Sequence, residues 1–108
     1  MYKIQVYLPP ESLRKIRKAV EQAGGGKIGN YEGCMSWWKV RSPWVTMDGA
    51  HPYHGEVGER TEAEEYILQC RVDKAHIEPV VRAIKKAHPY EEPVVDVVRL
   101  DEKSFLSV

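Results

Sequence analysis

Apolar and polar residues alternate from the start of the chain. Tyr2, Ile4, Val6 and Leu8 fall on one side, and Lys3, Gln5 and Tyr7 on the other, the two-residue period of a half-buried strand. Pro9-Pro10 ends this run, and Pro10 suits the first turn of a helix. Leu13, Ile16, Val20 and Ala23 then recur at steps of three, four and three among charged residues, which predicts an amphipathic helix over about residues 11–23. Gly24-Gly25-Gly26 stops it. Residues 27–63 are the least regular. Cys34 to Val45 is rich in strand formers and predicts a strand or a hairpin, whereas residues 47–63 read as a long ordered loop, a length that in compact domains often serves function.

Alternation returns over residues 64–72, with Tyr66, Leu68, Cys70 and Val72 on one face. Ile77, Val80, Val81 and Ile84 form one stripe of a second helix over residues 76–87, and Pro79 fits only near its start. A last strand is expected from Val94 to Leu100, its inward face left open by Asp96, followed by a frayed or oligomer-contacting tail after Asp101. The order is strand, helix, strand region, strand, helix, strand. Two such halves around an antiparallel sheet make an α+β, ferredoxin-like (βαββαβ) fold with both helices on one face. The other face must be polar or covered. Tyr7, Ile67 and some valines of residues 94–98 are candidates for that face and hint at a sheet-to-sheet oligomer contact.

Length and charge narrow the picture. The 108 residues predict one domain, 1–108, with one core. Lysine plus arginine equals aspartate plus glutamate, 16 each, so no global field draws the chain to nucleic acid or to an acidic membrane. Arg14, Lys15, Arg17 and Lys18 read as a solvated helix face. Cys34 and Cys70 are far apart and form no metal-like pair, which suits two reduced thiols. No signal-like or membrane-length apolar run is present, and a cytoplasmic location is expected.

The densest chemistry is His88-Pro89-Tyr90-Glu91-Glu92-Pro93, an imidazole, a phenol and two carboxylates on backbone that two prolines hold out of helix. A second His-Pro-Tyr occurs in Ala50-His51-Pro52-Tyr53-His54-Gly55-Glu56. If the two turns meet, His51, His54, His88 and Glu91 offer three imidazoles and a carboxylate, enough for a divalent metal such as zinc. The alternative is a hydrogen-bonded turn cluster without an ion. The glycine run Gly24 to Asn30 follows a helix instead of preceding one, so a helix cap and tight loop explain it better than a phosphate site. Cys34 has no evident base, which leaves little for nucleophilic catalysis. Trp37, Trp38 and Trp44 suit core or interface packing, or a stacking platform.

Three blocks taken jointly, GGGKIGNYEGC (24–34), GAHPYHGEVG (49–58) and AHPYEEPVVD (87–96), resemble the PII/CutA-like domain inserted in the NGG-interacting-factor-three (YqfO-like) family. The resemblance covers nearly the whole chain. It implies a PII/CutA-like fold assembled as a homo-oligomer, a trimer before a dimer. The dinuclear metal centre of full-length members sits in flanking halves that 108 residues do not hold. The chain departs from the family pattern at Trp37, Trp38 and Trp44, and at His51 and His54. The resulting expectation is a stand-alone binding or regulatory module for a small molecule or a protein. Its ligand or assembly site is expected at Gly29, Asn30, Tyr31, Pro52, Tyr53, Gly55, Glu56, Tyr90 and Glu92. A divalent-metal-binding protein is the first alternative and a small hydrolase the second.

Overall fold

The computed structural model describes residues 1–101, so the tail expected after Asp101 lies outside the described residues. Strand β1 (Tyr2–Leu8) leads through a 3-10 turn (Pro10–Ser12) into helix α1 (Leu13–Gln22). A long hairpin follows, β2 (Met35–Val45) and β3 (Arg60–Val72), then a 3-10 turn (Lys74–His76), helix α2 (Ile77–Ala87) and strand β4 (Val95–Arg99). The sheet order is β2-β3-β1-β4, and every pairing is antiparallel. This is the ferredoxin-like arrangement the periodicities predict.

Pairing register explains the core. Ile4 faces Cys70 and Val97, and Val6 faces Leu68 and Val95. Alternation then puts these side chains on one face of the sheet. There Ile4, Val6, Leu68 and Cys70 meet Ile16 and Val20 of α1 and Val80 and Ile84 of α2 in one buried cluster; Val95 packs against it and Val97 stays exposed. Neither helix exceeds 11 residues, too short to persist alone in water, so both depend on this shared apolar contact. Ile84 is completely buried, and its truncation to alanine would cost about 2–5 kcal/mol. The Asp73 side chain accepts from the His76 N–H at 3.0 Å and caps the approach to α2. Pro79 sits in the first turn of α2, where its missing N–H has no helical partner to lose.

The second face is mixed. Gln5 donates to Gln69 across the strands at 3.0 Å. Register carries Tyr7, Ile67, Trp38 and Val98 to the same side, as expected for Tyr7, Ile67 and part of the 94–98 valines. Trp37 points to the helical side, where the Arg17 guanidinium lies 4.4 Å from its ring centroid. No tryptophan joins the buried core; Trp37 and Trp38 are about 40% exposed (39% and 42%).

One element departs from the sequence reading. Residues 60–63, expected as loop, open strand β3, which begins at Arg60 and pairs in register with Val45 to Ser42 of β2. β1 pairs with β3 only from Tyr66 onward. The hairpin therefore runs past the sheet as a two-stranded ribbon. Both faces of a ribbon meet water, so its residues need not be apolar. The Arg41–Glu62 ion pair at 2.9 Å crosses it. The remaining loop is closed by a parallel bridge between Thr46 and Val57, with the Gly58 N–H donating to the Thr46 carbonyl at 2.7 Å.

Candidate functional site

The overhanging ribbon, the end of β1 and the start of β4 all fall at one end of the sheet. The hairpin loop and the turn after α2 meet there. The Glu91 carboxylate accepts from the His51 backbone N–H at 2.8 Å. The Tyr53 and Tyr90 rings lie 5.9 Å apart and tilted by 46°. Between them and the ribbon opens a groove of about 680 Å3 lined by Tyr7, Trp44, Tyr53, His54, Glu65 and Tyr90, with Pro52, Val45, Met47, Val94, Glu91, Glu92 and Asp96 around them. A volume of this size is in the range of small-molecule sites.

Tyrosine–carboxylate pairs hold the two rings. Tyr90 Oη donates to Glu65 Oε2 at 2.7 Å, and Glu65 is only 4% exposed. Burial, and then this bond, push the Tyr90 phenol up, so it stays a donor. Tyr53 Oη donates to Glu11 Oε1 at 2.8 Å. That bond raises the Tyr53 phenol. The Glu11 carboxylate is lowered, first by its own backbone N–H and then by Tyr53.

His88 anchors the turn from below. Its Nδ1 accepts from the Tyr90 N–H at 3.1 Å, so Nε2 carries the proton and donates to the Tyr7 carbonyl at 2.6 Å. The imidazole is buried and packs against the Tyr90 ring, centroids 4.7 Å apart and planes tilted by 55°. Burial lowers its affinity for a second proton, against smaller raising effects of Tyr7 and Glu65.

The structure thus brings Pro52, Tyr53, His54, Tyr90, Glu91 and Glu92 to one groove. Gly29, Asn30 and Tyr31 are elsewhere. Their turn is closed by reciprocal Ile28–Tyr31 backbone bonds, and its base joins Gly26 to Arg71, at the opposite end of β3. Gly55 and Glu56 do not line the groove, although Gly55 backs Trp44; its φ of +95° suits glycine. The four-ligand set drawn from His51, His54, His88 and Glu91 does not assemble. Both nitrogens of His88 are already bonded, the Glu91 carboxylate faces the His51 backbone, and His54 turns its ring edge-on to Trp44 at 6.1 Å. Among the described residues no group of three His, Cys, Asp or Glu side chains is placed to share an ion.

Sequence reasoning missed Tyr7, Glu65, Glu11, Trp44 and Asp96 at this site. Each reaches it through strand register or a turn contact. Glu65 carried one usable signal, a carboxylate inside a strand at the boundary between the polar and apolar halves of β3.

No protein-family model matches the chain. The GTP cyclohydrolase 1 type 2 homolog of Bacillus subtilis (strain 168) is 35% identical over 100 residues, which is 93% of this chain and 27% of that protein. The chain spans about a quarter of the length of the curated relatives it matches. A Bacillus cereus protein related to NIF3 superposes with a TM-score of 0.81 at 31% identity, over 93% of this chain and 25% of that one. The PII-like protein CutA from Nostoc sp. PCC 7120 superposes with a TM-score of 0.73 at 26% identity, over 99% of this chain and 88% of that one. No helix among the described residues is long and apolar enough to cross a membrane. The chain is a PII/CutA-like domain, related in sequence and fold to a quarter-length segment of the NIF3-related, GTP cyclohydrolase 1 type 2 homolog proteins.

Proposed function

We propose that the chain is a binding or regulatory module whose ligand site is the groove between the hairpin loop and the turn after α2. The observation that carries this is the meeting of those two turns around a cavity of about 680 Å3, with Tyr53 and Tyr90 fixed by carboxylates on either side. Fixed aromatic walls around a largely apolar space suit recognition. The PII/CutA-like fold of the structural neighbours supports the same class. A hydrolase reading finds no support: His88, the buried imidazole of the site, spends both nitrogens on backbone groups and activates no nucleophile.

The module works as a homo-oligomer, a trimer in the first instance. The outer strands β2 and β4 carry Trp38, Val97 and Val98, exposed by 42%, 42% and 47%, and a second copy covers such an edge economically. Light scattering at micromolar concentration is expected to give a multiple of the 12.4 kDa chain; a monomer overturns the assembly. For the site, a thermal-shift screen of small molecules is run on the parent and on Trp44→Leu. Ligands that stabilise the parent and lose their effect in the variant are expected. Stabilisation of equal size in both overturns the groove as the site.

A further inference from the structure

The charge of the groove narrows what it can hold. Among the described residues its lining contains four carboxylates, Glu65, Glu91, Glu92 and Asp96, and no lysine or arginine. Glu65 is nearly inaccessible from outside, so its field passes into the groove through a low-dielectric wall with little screening. The apolar part of the lining is aromatic: Tyr7, Trp44, Tyr53 and Tyr90. Tyr53 and Tyr90 each donate a hydrogen bond from the hydroxyl to a carboxylate. A phenol that donates to an anion holds more electron density on its ring, and the negative face of such a ring attracts cations. The tilt of 46° at 5.9 Å leaves the two rings as neighbouring walls instead of a closed stack.

We propose that this groove binds a small organic cation, an amine or quaternary ammonium on an apolar body. The inference rests on the groove being the ligand site and adds its ligand class. Aromatic walls take the apolar body and the face of the cation, and the carboxylates neutralise its charge. A phosphate-bearing or carboxylate ligand meets the same four acids, with no lysine or arginine among the described lining residues to offset them. The site is acidic, but its acids are spread around an aromatic cavity instead of converging on one point.

Three probes that share a phenyl ring test this on the chain as described: benzyltrimethylammonium, benzyl alcohol and benzenesulfonate. Binding is followed by shifts of the Trp44 indole N–H and of the Tyr53 and Tyr90 backbone amides in two-dimensional NMR. The cation is expected to bind at least about tenfold tighter than either other probe. Salt should weaken it, since the attraction is partly coulombic. Glu92→Gln and Asp96→Asn, both exposed, are expected to weaken it by about threefold to tenfold together, and Trp44→Leu to weaken binding as read at the Tyr53 and Tyr90 amides, which the substitution leaves in place. Benzyl alcohol or benzenesulfonate bound at the same resonances as tightly as the cation overturns the charge inference and leaves the groove as the site. No shift from any probe at millimolar concentration overturns both. A tetralysine peptide that binds more tightly than benzyltrimethylammonium at these resonances also overturns the small-molecule assignment, in favour of a basic protein partner.

Discussion

Replacing Tyr90 with phenylalanine isolates one hydrogen bond. The substitution keeps the ring, and with it the contacts to His88 at 4.7 Å and to Tyr53 at 5.9 Å. It removes the 2.7 Å donor to Glu65 Oε2 and leaves a carboxylate that is 4% exposed short of a partner. A hydrogen bond to a charged group contributes about 1.5–3 kcal/mol, and leaving its buried partner unpaired puts the loss toward the upper part of that range. For a chain of this length the melting midpoint should then drop by roughly 10 °C. Urea unfolding at fixed protein concentration reads the free energy, because association would otherwise shift the midpoint. A double-mutant cycle removes the remaining ambiguity. In a Glu65→Leu background there is no acceptor to strand, so Tyr90→Phe should cost well under about 1 kcal/mol, giving a coupling of about 1–2 kcal/mol. Tyr53→Phe serves as the contrast. Its partner Glu11 is exposed to solvent, and water replaces the lost donor, so no resolvable change is expected. Additive effects of the Tyr90 and Glu65 substitutions, to within about 0.5 kcal/mol, would refute the claim that this pair holds the groove.

Burial keeps the His88 imidazole neutral below its ordinary range, so on acidification the unfolded chain takes up the proton first. Stability is therefore full above about pH 6.5 and falls as pH drops toward the native value, by no more than about 1.4 kcal/mol per pH unit from this group. His88→Gln, which retains a donor for the Tyr7 carbonyl, is expected to flatten that slope in urea titrations between pH 7 and 5. Gly26→Ala puts a Cβ 2.8 Å from the Cys34 carbonyl oxygen at φ +79°; a loss of more than about 1–2 kcal/mol is expected in the same assay. Burial pushes the Cys70 thiol up to about 11. In native protein a disulfide reagent should modify Cys34 rapidly and reach Cys70 only on unfolding.

The parts of the fold legible in sequence are those where burial imposes a period. Ile16 and Val20, or Val80 and Ile84, recur because a helix turns its residues onto one core. The same holds for Ile4, Val6 and Leu8 on β1, which alternate because one face is buried. Where burial is absent, so is the signal. Arg60-Thr61-Glu62-Ala63 forms strand only because β2 runs alongside it, and no apolar face marks it. Loop composition and ribbon composition are then the same. The inward face of β4 was similarly undetermined beforehand. It follows from register, which sets Val95 and Val97 opposite Val6 and Ile4 and Asp96 opposite Gln5.

The site was half legible for a related reason. Its two turns announced themselves through proline and histidine, residues that constrain the backbone whatever surrounds them. Their meeting depends on a length difference no local pattern records: β2 and β3 have 11 and 13 residues, whereas β1 and β4 have 7 and 5. The longer pair overhangs the shorter pair at the end where α2 returns to the sheet. A surplus of paired strand on one side and a proline-bound turn on the other leave a groove between them. The residues that fill its wall, Trp44 from the ribbon and Glu65 from the point where β3 rejoins the sheet, lie in or just beyond the stretch with the weakest sequence signal. That coincidence has a physical basis. A segment freed from packing against the helices can place aromatic and acidic side chains toward a ligand, and the same freedom removes the apolar period by which a strand is recognised.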